Sequence, residues 1–249
     1  MMRVLIGLVG LCFAAGALAS SGEAAGVAEN ASNPLAKTRN TDFYGEAFRA
    51  ESEVDLSTGS VEGAFMARDD LKVKYEAHYW RLESPSRTSS GWESFTLKGI
   101  WFPVEGRRGS WGYRLALGLD WVLDGGNSED GIGTGSDQLA PFVGIALSPR
   151  QGTTLIPLIQ HFESYNGDPF SMTAVRVIAM QSLPEQWWLK VDCAIPVDWE
   201  NDRSVPATFE FQLGRKVSKS VSLFGNAHAG LGSDRPYDYG FGFGLRLSY

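Results

Sequence analysis

The sequence predicts an all-β fold, a transmembrane antiparallel up-and-down β-barrel of about twelve strands with ten as the alternative, and three observations predict it. The first is the C-terminal run Tyr237–Tyr249, where Tyr237, Tyr239, Phe241, Phe243, Leu245, Leu247 and Tyr249 alternate with Asp238, Gly240, Gly242, Gly244, Arg246 and Ser248. Period-two alternation of this length is a strand with a different solvent on each face. At roughly 3.3 Å per residue it spans about 40 Å, enough for a tilted bilayer crossing. The second observation is that similar segments recur along the chain, several bracketed by tryptophans. The third is that their connections alternate between tight turns, such as Val104 to Gly109, and longer loops, such as Ser84–Gly91, as barrel turns and loops do.

Taken in order, residues 1–19 read as a secretory signal peptide, with Arg3 as the positive start, Val4 to Leu18 as the apolar region and Ala17-Leu18-Ala19 as the cleavage site. A lipoprotein signal ending at Cys12 is the competing reading, but Leu11 is too large before such a cysteine. Cleavage takes the formal charge from −7 to −8, since only Arg3 leaves. It also leaves Cys193 as the one cysteine, so no intramolecular disulfide forms. Residues 20–41, rich in Ala, Gly, Ser and Asn without periodicity, read as a flexible periplasmic leader. The barrel is expected over 42–249.

Asp42–Ala50 is assigned as the first strand by parity, because Val54–Ala67 must run down into the turn at Asp69. Leu71 to Trp80 follows, with Leu71, Val73, Tyr75 and Tyr79 opposite Lys72, Lys74, Glu76 and His78. Trp92–Phe102 is next, and then the cleanest internal strand, Trp111–Leu123. Further strands are read around Val143, Leu155–Ile159, Val175, Trp187–Val197, Phe209–Leu213 and Val221–Leu231. Leu155, Ile156, Leu158 and Ile159 fall on both faces of theirs. The pairs Trp92/Trp101, Trp111/Trp121 and Trp187/Trp199 sit where interfacial aromatic girdles would lie. Pro141, Pro157 and Pro196 interrupt strand segments and are expected to mark bulges near the outer rim. After the first twenty residues there is no apolar run of transmembrane-helix length.

Chemistry is expected inside the barrel. The inward frame carries Lys72, Lys74, Glu76, His78, Lys98, Arg114, Asp120, Arg176, Lys190, Asp192, Glu210 and Arg246. Two readings stay open: a polar pore whose mixed charges set selectivity, or a salt-bridged interior that neutralises and fills itself. The small inward residues Gly112, Ala116, Gly118, Gly144, Gly240, Gly242 and Gly244 lean towards open space. For an enzyme, His161 beside Glu163 and Ser164 is the one reasonable base, and no nucleophile motif accompanies it. The histidines are scattered singly, so no metal site and no cofactor is expected. The presumed outer loops are acidic. Asp124–Asp137 looks superficially like a calcium loop but lacks the EF-hand spacing, and turn chemistry explains Asp beside Gly as well. Expected partners are membrane lipid and lipopolysaccharide, the latter bridged to the loops by divalent ions. An acidic chain without a basic patch excludes nucleic acid. A monomer is expected.

The terminal strand, with Phe241, Phe243, Leu245, Leu247 and Tyr249, resembles the C-terminal signature that the barrel-assembly machinery reads in bacterial outer-membrane proteins. From about Asp42 to Tyr249 the chain also resembles outer-membrane barrels assigned as transporters of the phenol-degradation (MetA) pathway type. The residues that carry this are Leu71–Trp80, Trp111–Leu123, Pro196-Val-Asp-Trp-Glu200 and the terminal strand. The resemblance implies an outer-membrane channel for small solutes, hydrophobic or aromatic ones among them. The alternatives are a lipid-acting hydrolase and a closed structural barrel.

Overall fold

The computed structural model describes residues 27, 29–50, 54–126 and 128–249, so the signal peptide lies outside the described residues. The strands are β1 (Asn40–Ala50), β2 (Val54–Arg68), β3 (Leu71–Ser84), β4 (Arg87–Arg108), β5 (Trp111–Asp124), β6 (Ser136–Arg150), β7 (Thr153–Gly167), β8 (Ser171–Ser182), β9 (Trp187–Asp198), β10 (Ala207–Lys216), β11 (Val221–Leu231) and β12 (Tyr239–Ser248). Each pairs antiparallel with its sequence neighbours, and β1 pairs with β12 to close the barrel. The closing register runs from Asn40↔Ser248 to Arg49↔Tyr239, so the start of β1 and the end of β12 lie at one mouth, here called the inner mouth. Closure removes every free sheet edge, which an apolar medium demands because it offers no partner for an open edge.

The outer surface is the apolar half of the alternation. Trp111, Leu119 and Trp121 on β5 and Phe241, Phe243 and Tyr249 at the C-terminal end all face outward and are exposed. Phe241 and Phe243 keep more than 60 % of their surface exposed (63 and 61 %), so on this face nothing in the protein covers them. Among the described residues no helix is long and apolar enough to cross a membrane; the belt there is built of strands.

Several expectations change. The connection expected at Ser84–Gly91 is strand: β3 and β4 continue past a bulge at His78/Tyr79 as a hairpin that turns at residues 85–86. The β5–β6 loop leans on this projection. Ile132 there is buried at 2 % exposure, and Arg87 Nη1 donates to the Glu129 carbonyl at 3.1 Å. The turn expected from Val104 to Gly109 shrinks to Gly109–Ser110, with the register skip between Trp101 and Val104, where Pro103 has no N–H to give. Pro141, Pro157 and Pro196 mark no bulge: each stays in register, opposite Leu119, Val177 and Ala174. β12 starts at Tyr239, and Tyr237, expected on its outer face, instead turns inward and stacks on Phe48 with ring centroids 4.7 Å apart.

The inward glycines do not border open space. A Cβ on Gly118 would lie 2.1 Å from the Phe142 ring, and one on Gly244 would lie 2.2 Å from the Phe224 ring. Gly118, Gly240 and Gly244 each seat an aromatic ring of a neighbouring strand, Phe142, Phe48 and Phe224, while Gly144 and Gly242 face the Leu158 and Glu46 side chains. Ile156 and Leu158 resolve the two-faced β7 segment: they point inward and join Ile100, Phe102, Phe142, Ile178, Met180, Trp188 and Phe224 in a packed apolar cluster inside the barrel. Alternation alone hides such a cluster, because it tells one face from the other but not which face meets lipid.

Candidate functional site: the barrel lumen

The structure brings the twelve predicted lumen residues into the barrel interior, where they fall into two groups. The first is a ring of ion pairs around the middle. Lys74 Nζ lies 3.0 Å from Glu76 and 3.6 Å from Glu62; Lys98 Nζ lies 2.9 Å from Asp120 and 3.5 Å from Glu76. Across the barrel Arg176 pairs with Asp192 at 2.5 Å and Lys190 with Glu210 at 2.9 Å. His78 Nδ1 shares a hydrogen with the Ser60 hydroxyl at 2.8 Å, and His228 Nε2 lies 2.9 Å from Glu46. Opposite charges alternate around the wall, but carboxylates are in excess: Lys74, Lys98, Arg176 and Lys190 face Glu46, Glu62, Glu76, Asp120, Asp192 and Glu210. Charges here need partners because a narrow, protein-walled lumen solvates them poorly.

Sequence reasoning missed Asp42, Tyr44, Glu46 and Glu62, which line the same cavity. β1 was assigned only by parity, because its outward face, Phe43-x-Gly45-x-Ala47-x-Arg49, is weakly apolar. The usable signal was on the other face, Asp42-x-Tyr44-x-Glu46-x-Phe48. The Tyr44 hydroxyl donates to Glu62 across the β1–β2 ladder. Phe48, His228 and Tyr237 stack above it, Phe48 to His228 at 5.0 Å.

The second group lies at the inner mouth and holds the leader. Residues 30–38, expected to be flexible, are packed in the inner mouth between the exposed Glu29 and Arg39, so that expectation is corrected for them. Asn33, Leu35 and Ala36 are fully buried. The segment is kept compact by local turns: Asn30 Oδ1 accepts the Ser32 N–H at 2.9 Å and Asn33 Oδ1 the Leu35 N–H at 2.8 Å. The Leu35 side chain enters the apolar cluster of the wall. Three wall cations hold its polar atoms. Lys72 Nζ donates to the Ala36 carbonyl at 2.7 Å and the Pro34 carbonyl at 3.3 Å. Arg114 donates to the Leu35 carbonyl at 3.0 Å and to Glu29 at 2.6 Å. Arg246, doubly bonded to Asp42, donates to the Ser32 hydroxyl at 2.9 Å, and that hydroxyl donates to Gln212. Composition could not show this, because the partners are 36 to 214 residues away along the chain.

Between the leader and the charge ring is a cavity of about 300 Å³, lined by Ala31, Ser32 and Pro34 from the leader and by Tyr44, Glu46, Lys74, Arg176, Lys190 and Glu210 from the wall. Glu62, Glu76 and His78 bring ligand atoms within 4.8 Å of one another, but the Lys74 ammonium already bridges the two carboxylates. Lys74 therefore satisfies the charge that a metal ion would.

His161 lies outside this site, on the outer surface of β7. Its Nδ1 shares a hydrogen with Thr173 Oγ1 at 2.9 Å, and its Nε2 lies 3.3 Å from Glu163. Thr173 Oγ1 also accepts the Trp199 indole N–H at 2.9 Å. The cluster ties β7 and β8 to the loop after β9. Ser164, the other candidate partner, accepts the Phe170 N–H instead. In the acidic loop, Asp124 Oδ1 accepts N–H groups of Thr134 and Gly135, and Asp137 Oδ1 that of Asp124. These carboxylates brace turns, as the turn reading expects. In the loop after β11 the Asp234 carboxyl is held below the usual carboxylate range by the Val205 N–H and the Ser233 hydroxyl.

No protein-family model matches the chain, and no curated protein matches its sequence. Solved structures do. The COG4313 outer membrane channel from Pseudomonas putida F1 superposes with a TM-score of 0.66 at 8% identity, over 93% of this chain and 100% of that one. The NanC porin gives 0.61 at 7%, over 84% and 100%. Outer membrane phospholipase A from Escherichia coli gives 0.53 at 12%, over 87% and 93%. The chain has the fold of the porin-like outer-membrane barrels. At these identities the likeness is one of architecture.

Proposed function

We propose that the protein is a monomeric outer-membrane channel for small polar solutes, closed at its inner mouth by its own leader. The observation that carries this is the charged cavity of about 300 Å³ stopped by residues 29–38. The apolar outer belt supports the membrane setting, and the barrel neighbours that are channels favour conduction over a filled structural barrel. The ion-paired lining favours polar cargo over apolar cargo, because an apolar solute would have to displace the water that solvates those charges.

A releasable plug must be held weakly, and the leader meets that condition. Its five hydrogen bonds from Lys72, Arg114 and Arg246 contribute roughly 8–15 kcal/mol, at about 1.5–3 each for charged donors. Burying Leu35 adds about 2–3 kcal/mol. Ordering ten residues costs about 10–20 kcal/mol. The two sides are of the same order, as a leader that seats at rest and can still be released requires.

Single-channel recording in planar bilayers tests the reading. The full chain should show rare openings. A chain lacking residues 29–38 should conduct steadily, and a peptide of residues 27–39 added on the inner side should block it. If neither chain conducts above background, the barrel is a closed structural one and the reading fails.

A further inference from the structure

Among the lumen cations, Lys72 is bound differently from the rest. Lys74, Lys98, Arg176, Lys190 and Arg246 each rest on a carboxylate supplied by the barrel wall. Lys72, 1 % exposed, donates to the carbonyl oxygens of Pro34 and Ala36, and among the described residues no carboxylate lies within ion-pair distance of it. Arg114 is intermediate. The wall's Glu105 takes its Nε at 2.8 Å, while both terminal nitrogens point at the leader, to the Leu35 carbonyl and to Glu29. Three successive leader carbonyls and one leader carboxylate therefore fill a cationic seat that the wall leaves incomplete. When the leader withdraws, the ring above keeps its wall partners, but Lys72 and the free edge of Arg114 lose their acceptors together, and Glu105 keeps Arg114 while losing the leader's Lys37.

We infer that Lys72 and Arg114 form an anion subsite at the inner mouth, that the leader occupies it as an internal stand-in for a solute, and that small carboxylates are the solute class that competes for it. This rests on the channel reading above. A guanidinium edge matches a carboxylate in two parallel bonds, and a nearby ammonium adds a point charge. A backbone carbonyl offers the same acceptor oxygen with only a partial charge. A carboxylate that binds the seat only when the leader is out must shift the balance towards the open state, in proportion to that difference in affinity. The open inner mouth then carries one cation in excess, Lys72, Arg114 and Arg246 against Asp42 and Glu105, so Lys72 favours anions there although carboxylates outnumber cations in the middle.

The test compares the full chain, the chain lacking residues 29–38, and both with Lys72→Met or Arg114→Gln, in planar bilayers. Under a potassium chloride gradient Lys72→Met should lower the chloride-to-potassium permeability ratio of the shortened chain roughly threefold, the effect of one charge a few ångströms from the ion path in water. With the full chain, acetate should raise the open fraction severalfold, while acetamide, of similar shape but neutral, should leave it unchanged. Should the shortened chain fail to insert, Leu35→Asp in the full chain releases the leader without deleting it and serves the same comparison. A permeability ratio that Lys72→Met leaves unchanged, or equal effects of acetate and acetamide, would each overturn the subsite while leaving the channel standing. Absence of conductance in all chains would instead sink the channel reading itself.

Discussion

The middle of the lumen and its inner mouth use the same residue types under opposite arrangements. In the middle, cations and carboxylates of the wall satisfy one another: Lys74 with Glu76 and Glu62, Arg176 with Asp192, Lys190 with Glu210. At the mouth, Lys72 and Arg114 are completed by a separate stretch of chain. The first arrangement is part of the barrel and persists as long as the barrel does. The second is complete only while the leader is seated. A charge paired within a strand ladder is structural; a charge paired with a tethered segment is conditional, and conditional pairing is what a gate needs.

The comparison can be broken most severely at Leu35. Leu35→Asp would place a carboxylate in the apolar cluster around Phe102, Ile156 and Ile178. The penalty of several kcal/mol should unseat the leader and raise the open fraction at least a hundredfold in single-channel records. Next comes Asp42→Ala, which strands Arg246 at 5 % exposure without its carboxylate. Because both partners belong to the wall, the expected result is a loss of about 3–5 kcal/mol in urea unfolding from lipid vesicles. A mid-lumen change such as Lys190→Met should sharpen the contrast. It leaves Glu210 unpaired and tilts the ring towards cations, so reversal potentials should move by a few millivolts while the open fraction stays fixed. His161→Ala, on the outer surface, should alter neither conductance nor gating. Turnover of phospholipid by the wild type that His161→Ala abolishes would instead revive an enzymatic reading of the His161–Thr173 cluster.

The smallest effect expected is at Asp234. Its lowered carboxyl pKa means that the bond from the Val205 N–H adds stability fully above the unfolded carboxylate value of about 3.9 and loses it as the pH falls through the lower folded value. Faster exchange of the Val205 amide should therefore appear only in strong acid, and without any change in conductance.

The sequence by itself determined the barrel, a strand number of about twelve with ten as the alternative, and the inward frame of the clearly alternating strands, though it put Tyr237 on the outer face. The pleat alternates with period two whatever the partners are, so Trp111–Leu123 and Tyr239–Ser248 display their two faces locally. The parity of twelve followed from the direction of one strand. β1 and Glu62 stayed half-hidden because their outward faces are poor in large apolar residues. Only the tertiary structure decided what fills the interior. That Gly118 seats Phe142, that Ile156 and Leu158 form a core where water was expected, and that Leu35 and its neighbouring carbonyls stop the inner mouth all depend on strands meeting around a closed circumference. The leader has no periodicity to read, and its partners are scattered over β3, β5, β10 and β12. A plug of this kind is defined by the hole it fits, and that hole exists only after the barrel closes.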